Sequence, residues 1–220
     1  MIKMKVLNLY AGIGGNRKLW EDVDVTAVEF NPAIARIYQD FFPDDTVLVE
    51  DAHQYLLNHF QEFDFIWASP PCPTHSRVRK WGVGANNQSV TTRPVFPDMK
   101  LYEEILFLKG YFKGKYCVEN VFSWYDPLIK PQILGGHYYW CNFLIRNEKF
   151  SSYRAHYGSI EELQDLKGFD LSEYNGINKE LVLRNCVIPE HGEIIIDCAR
   201  GNTQQTLELS IKETKLRMDK

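Results

Sequence analysis

The chain has 220 residues, of which 45% are hydrophobic and 14% aromatic, with a formal net charge of −4. That size and apolar content suit one domain with a substantial core and exclude a chain disordered throughout. Apolar runs are strand-length and broken by charges, the first residues lack a secretory apolar segment, and the five cysteines form no Cys-x-x-Cys pair. A membrane span, a signal peptide, a disulfide framework and a metal cluster are therefore not expected, and a reducing cytoplasm is the natural setting. The acidic balance is silent on nucleic acid, because phosphate binding needs only local positive charge.

In chain order, residues 5–10, 25–30, 46–50, 63–68 and 116–121 are nearly continuous apolar runs. Such runs fit strands buried on both faces of a parallel sheet. Helices are expected near 16–21, 32–42, 52–60 and 97–109, the second opening on Asn31-Pro32 and the third on Asp51. Strands alternating with helices predict a doubly wound, mostly parallel α/β sheet with right-handed crossovers. The stretch 132–157 is aromatic and poor in helix signals, with a strand expected at 142–146. Beyond Ser159 the pattern is helical, interrupted by turn residues at 174–178. The charged, amphipathic end, 201–220, reads as a surface helix or tail.

Ala11-Gly12-Ile13-Gly14-Gly15 ends the first strand in a glycine-rich turn that leads to the first expected helix. Glycines there let a ligand approach the backbone, and a helix N-terminus offers free N–H groups. The second strand ends at Glu29, suited to accept hydrogen bonds from both hydroxyls of a ribose. The third ends in Glu50-Asp51, where Asp51 serves either an adenine amino group or the helix cap. The turn itself has neither the dinucleotide nor the P-loop glycine spacing.

The fourth strand runs into Ser69-Pro70-Pro71-Cys72-Pro73. Prolines fix the backbone as it leaves the sheet, so the Cys72 thiol is expected at the mouth of the cleft. The fifth ends Glu119-Asn120-Val121, which puts Glu119 on the same edge. The other four cysteines lie in apolar runs and read as packing residues.

Together, Ala11-Gly12-Ile13-Gly14-Gly15, Pro71-Cys72, Glu119-Asn120-Val121 and Arg184-Asn185-Cys186-Val187-Ile188-Pro189 resemble, in this order, the motifs of the DNA cytosine-5 methyltransferase family. The resemblance implies the Rossmann-like fold of S-adenosylmethionine-dependent methyltransferases, with S-adenosyl-L-methionine as cofactor and duplex DNA with a flipped cytosine as substrate. It makes Cys72 the nucleophile toward cytosine carbon 6 and Glu119 the hydrogen-bonding partner of N3 and the exocyclic amine. Cofactor contacts are implied for Tyr10, Ala11, Gly12, Gly14, Gly15, Glu29, Asp51, Pro70, Asn185 and Val187. Substrate contacts are implied for Pro71, Ser76, Arg77, Arg79, Asn120 and Val121. Enzymes that methylate adenine N6 or cytosine N4 carry an aromatic after the two prolines, and here Cys72 stands in that place.

Between Pro73 and Pro97 no residue is acidic, while Arg77, Arg79, Lys80 and Arg93 are basic. This reads as a positive loop suited to close over a flipped base; His75 within it reads as a surface or capping histidine. Two features depart from the family. The stretch beginning Gln132-Ile133-Leu134-Gly135-Gly136-His137 lacks the arginines of the family's Gln-x-Arg-x-Arg motif. The segment at 147–183 is a shortened replacement for a target-recognition region, within a catalytic domain expected over 1–200. Such a compact form suits a phage or restriction-modification enzyme, with specificity relaxed or supplied by a partner subunit. The same chemistry on RNA, and a non-catalytic cofactor- or DNA-binding subunit, remain the alternatives.

Overall fold

The computed structural model describes residues 3–77, 95–146, 148 and 158–201. Strands β1 (Met4–Leu9), β2 (Val23–Val28), β3 (Thr46–Leu48), β4 (Phe65–Ala68), β5 (Lys115–Val121), β6 (Gln132–Leu134) and β7 (His137–Cys141) form one seven-stranded sheet. Its order is β3-β2-β1-β4-β5-β7-β6. The pairs from β3 to β5 are parallel, and β7 runs antiparallel to both neighbours. This is a doubly wound, mostly parallel sheet, with its switch point between β1 and β4.

The central strands are apolar on both faces because both faces are covered. Leu7, Leu9, Ile66 and Ala68 pack with α2 (Ala52–His59) and α3 (Lys100–Tyr111). Val6, Phe65 and Trp67 point to the other side, where Ile194, Ile195 and Cys198 of α6 (Pro189–Ala199) meet them. A further cluster joins Ile37 of α1 (Pro32–Phe41) to Leu163 of α4 (Ile160–Lys167) and Leu183 of α5 (Lys179–Asn185). The Asn31 and Asp51 side chains cap α1 and α2, and Ser159 with Glu162 forms a capping box on α4. Among the described residues no helix is long and apolar enough to cross a membrane.

Two expected elements do not form. The stretch 16–21 is a series of turns, bonded from Arg17 N to Gly14 O, Lys18 N to Gly15 O and Trp20 N to Arg17 O. Asn16 is fixed by a side-chain pair with Asn8, and the Trp20 indole donates to Gly192 O, so local anchors replace a helical ladder. The strand expected at 142–146 is missing as well, since β7 ends at Cys141. The Asn142 side chain bonds Tyr116 N and Gly114 O, and the Gln132 amide bonds Phe143 O and Ile145 N. Side chains thereby satisfy backbone groups that a strand would have paired. Tyr138, Tyr139 and Trp140 are core residues, 8%, 0% and 5% exposed. The positive segment containing Arg79, Lys80 and Arg93, the residue Arg154 and the tail at 202–220 lie outside the described residues.

The closing helix is seated directly on the turn after β1. A Cβ at Gly192 would overlap the backbone oxygen of Asn16, and backbone yields little. Gly192→Ala is therefore expected to destabilise the fold by about 3 kcal/mol, the upper part of the overpacking range. Urea denaturation measures it; an unchanged midpoint would contradict this seating.

Candidate active site

The site is built from four strand exits and one closing segment. At the β1 exit, Tyr10 (φ +56°), Gly12 (φ +56°) and Gly14 (φ +86°) adopt left-handed backbone. Gly15 is required for closeness: a Cβ there would overlap Val187 O and Cys186 Sγ. The segment Asn185-Cys186-Val187 thus lies against the glycine turn, with Asn185 exposed and Val187 half-buried. Gly12 has no atom within 4 Å of its would-be Cβ, so open space stands before it.

At the β2 exit, the Glu29 carboxylate accepts from Gly12 N at 3.0 Å and from Asn31 N at 2.8 Å. Each oxygen keeps a further lone pair for a ligand. Phe30, which sequence reasoning passed over, is 76% exposed beside it and offers an apolar face for a flat ring. Its signal was an aromatic directly after the strand-end acid. Asp51 is exposed and caps α2 through Gln54 N, so its cap role is realised. The β1 and β2 exits thus bring together backbone amides, a carboxylate with free lone pairs and an exposed aromatic ring, groups of the kind that bind a nucleoside.

At the β4 exit, Pro70 is buried, Pro71 exposed and Cys72 half-buried. Cys72 O accepts from His75 N at 2.9 Å and Ser76 N at 3.0 Å, closing a tight turn around the thiol. The stretch after β5 braces that turn. Trp124 Nε1 donates to Thr74 O, Trp124 N to His75 O, and Ser76 forms a bridge with Ser123. His75, expected at the surface or at a cap, is 1% exposed and pairs through Nδ1 with Tyr125 OH at 2.6 Å. It anchors the turn. Arg77 is exposed, with its guanidinium over Phe122 and Nε donating to Ser123 O.

At the β5 exit, Glu119 is 8% exposed. Register places Ala68 opposite Val118, so Ser69 and Glu119 leave the sheet side by side. Asn120, expected to touch substrate, is 2% exposed and spends its amide on Pro70 O at 2.9 Å and on Val121 N. It ties the two exits together; Val121 is half-buried at the rim.

The electrostatics centre on Glu119. Burial pushes its carboxyl up to about 7, against the opposing pull of Ser69 and Lys167. His137 of β7 approaches with Nε2 at 3.9 Å from Glu119 Oε1, and burial lowers the imidazole to about 4, so it is neutral at neutral pH. Lys167 of α4 is 1% exposed, donates from Nζ to Cys186 O at 2.7 Å, and is lowered by burial. Its sequence signal was a charge one helical turn after buried Leu163, on the apolar face. The Cys72 thiol is raised by burial and by Glu119, so at rest it stays protonated. Of the other cysteines, Cys117, Cys186 and Cys198 are buried and Cys141 is half-buried. Arg146 pairs with Glu148 and Asp197, and no group of three potential metal ligands occurs among the described residues.

With this geometry in view, the comparisons with known proteins are specific but partial. The family profile described as C-5 cytosine-specific DNA methylase matches residues 4–96, less than half of the chain. That stretch holds the glycine turn, Glu29, Asp51 and Cys72, and stops before Glu119. No curated protein matches the sequence. A hypothetical protein of Thermus thermophilus superposes with a TM-score of 0.43 at 16% identity, covering 63% of this chain and 74% of that one. A DNMT2 mutant of Spodoptera frugiperda gives a TM-score of 0.37 at 25% identity, covering 54% of this chain and 36% of that one. The methyltransferase EhMeth of Entamoeba histolytica gives 0.35 at 16% identity, covering 55% and 39%.

Because Glu119 titrates near 7 when folded and at the ordinary 4.5 when unfolded, the folded state binds the extra proton between these values. Stability from this group is fully present below 4.5 and is lost as pH rises through about 7. Glu119→Gln removes the dependence. Urea denaturation at about pH 5 and pH 8 is expected to show the wild type losing stability relative to the variant. Parallel behaviour would contradict the burial argument.

Proposed function

We propose that this chain transfers the methyl group of S-adenosyl-L-methionine to carbon 5 of cytosine in DNA through a Cys72 adduct at carbon 6. The observation that carries the reading is the pairing of a braced, half-buried thiol with a buried carboxyl near 7, on adjacent strand exits of the sheet. The family match over 4–96 supports the same reading and includes Cys72.

Carbon 5 of cytosine is a poor nucleophile until a thiolate adds at carbon 6. Glu119 carries a proton for part of the time at neutral pH, so it can donate to N3 while its other oxygen accepts from the exocyclic amine. The Cys72 thiol gives its proton to solvent as the S–C6 bond forms, and proton donation from Glu119 to N3 offsets the charge that enters the ring, leaving carbon 5 as the nucleophilic end of an enamine. The cofactor supplies an electrophilic methyl on a sulfonium, and the glycine turn, Glu29 and Phe30 are the residues that would hold its nucleoside. Loss of the carbon 5 proton to a base then re-forms the C5–C6 double bond and expels the thiolate. With both Cys72 and Glu119 able to rest uncharged, the site avoids burying two neighbouring anions before the base arrives. Arg77, exposed beside the thiol turn, is positioned for a phosphate.

The test is transfer of labelled methyl from S-adenosylmethionine to unmethylated duplex DNA, read by nucleoside mass spectrometry. The label is expected in 5-methylcytosine, with Cys72→Ala losing at least about a thousandfold in rate, in line with removal of a covalent nucleophile. Label on an amino group, or in structured RNA and not in DNA, would overturn the proposal.

A further inference from the structure

Beside the glycine turn lies a buried polar cluster that the proposed chemistry does not use. Glu104, in the second turn of α3, is fully buried, a rare position for a carboxylate without a task. Its Oε1 accepts from Tyr10 OH at 2.5 Å and meets His53 Nδ1 at 3.0 Å. Its Oε2 is equally buried and finds no hydrogen-bond partner among the described residues. Tyr10 is the residue at the β1 exit with φ +56°, a conformation that an aromatic residue adopts only when its surroundings hold it there. His53 lies in the first turn of α2, two residues after Asp51, with Glu103 Oε2 at 3.9 Å from its Nε2. A single carboxylate oxygen therefore joins the β1 exit, the start of α2 and the middle of α3, three elements that converge where β1 gives way to the glycine turn.

We propose that Glu104 is a positioning residue for the nucleoside cofactor, acting through Tyr10. The inference rests on reading the β1–β2 cleft as the cofactor site. By holding the Tyr10 hydroxyl, Glu104 fixes the left-handed backbone at Tyr10 and with it the turn that leads to Gly12, and this aims the Gly12 amide at Glu29. Without the bond, Tyr10 is free to relax toward ordinary backbone angles, and the Gly12–Glu29 contact that shapes the ribose end of the cleft loosens. The carboxyl sits among Asp51 and Asp98, which act on Tyr10, and Lys100, which acts on Glu104 from its own helix. Burial raises both partners of the short bond, so the Tyr10 proton stays on the hydroxyl.

The test is calorimetric binding of S-adenosylhomocysteine to the full chain and to Tyr10→Phe, which removes the hydroxyl and keeps the ring. Loss of one hydrogen bond to a carboxylate is expected to weaken binding about tenfold, with the KM for cofactor rising and kcat unchanged. Glu104→Gln, which keeps an acceptor for the hydroxyl, is expected to bind within about threefold of wild type. Tyr174→Phe, which removes an exposed hydroxyl bonded to Asp40, serves as the control for loss of a phenol elsewhere. If Tyr10→Phe lowers the unfolding midpoint but binds like wild type, Glu104 serves packing alone and the proposal is overturned. If the wild type itself binds no S-adenosylhomocysteine while folded, the cofactor reading falls and takes the proposal with it.

Discussion

The Asn120 amide reaches 2.9 Å to the carbonyl of Pro70, joining the exits of two adjacent parallel strands within a buried site. The proposed chemistry depends on that joint. Cys72 follows Pro70 by two residues and Glu119 precedes Asn120 by one, so this side chain joins the register of β4 and β5 in setting their relative position. Prolines stiffen one arm and the Trp124, His75 and Tyr125 contacts stiffen the other. The turn that carries the thiol is thus held by hydrogen bonds from both directions, the repeatable placement that the proposed attack on a ring carbon requires. Asn120 was expected to meet substrate; in the fold its amide is spent on joining the two strand exits.

A second constraint is electrostatic. Glu119 is buried beside Cys72, His137 and Lys167, and burial moves each of the four toward its uncharged form. Burial in this way favours the uncharged forms of the Cys72 thiol and the His137 imidazole and holds the Glu119 carboxyl near 7. Lys167 extends the arrangement. Its ammonium holds Cys186 O, and Cys186 lies where a Cβ on Gly15 would be, so the closing segment, the glycine turn and the Glu119 pocket share one packing unit. A residue carried by a short helix late in the chain thereby bears on a proton near the middle of the sheet.

Much of this was legible in the sequence because it rests on local rules. Continuous apolar runs gave five strands close to their observed bounds, and Asn31-Pro32 and Asp51 marked two helix starts through capping chemistry. Cys72 and Glu119 could be paired from strand order alone, since adjacent parallel strands exit at one edge. What escaped was tertiary. Residues 16–21 have a helical pattern, yet the Asn8–Asn16 pair and the contact with Gly192 favour turns. Residues 142–146 look strand-like, yet Asn142 and Gln132 satisfy the backbone with side chains. His75, Glu104, His137 and Lys167 are polar residues made significant by burial, and burial comes from partners distant in sequence. The departure noted at 132–137 takes on a different aspect as well: the stretch lacks arginine but delivers His137 to within 3.9 Å of Glu119.

The central claim is that Cys72 bonds covalently to the target base. Duplex DNA containing 5-fluorocytosine blocks the final elimination, because fluorine does not leave as a proton does. Incubation with S-adenosylmethionine, followed by intact-mass and peptide mass spectrometry, reports the bond directly. A stoichiometric protein–DNA adduct mapping to Cys72, and absent in Cys72→Ala, is the result expected. A folded, cofactor-binding protein that gives no adduct, or an adduct that survives in Cys72→Ala, would contradict the account.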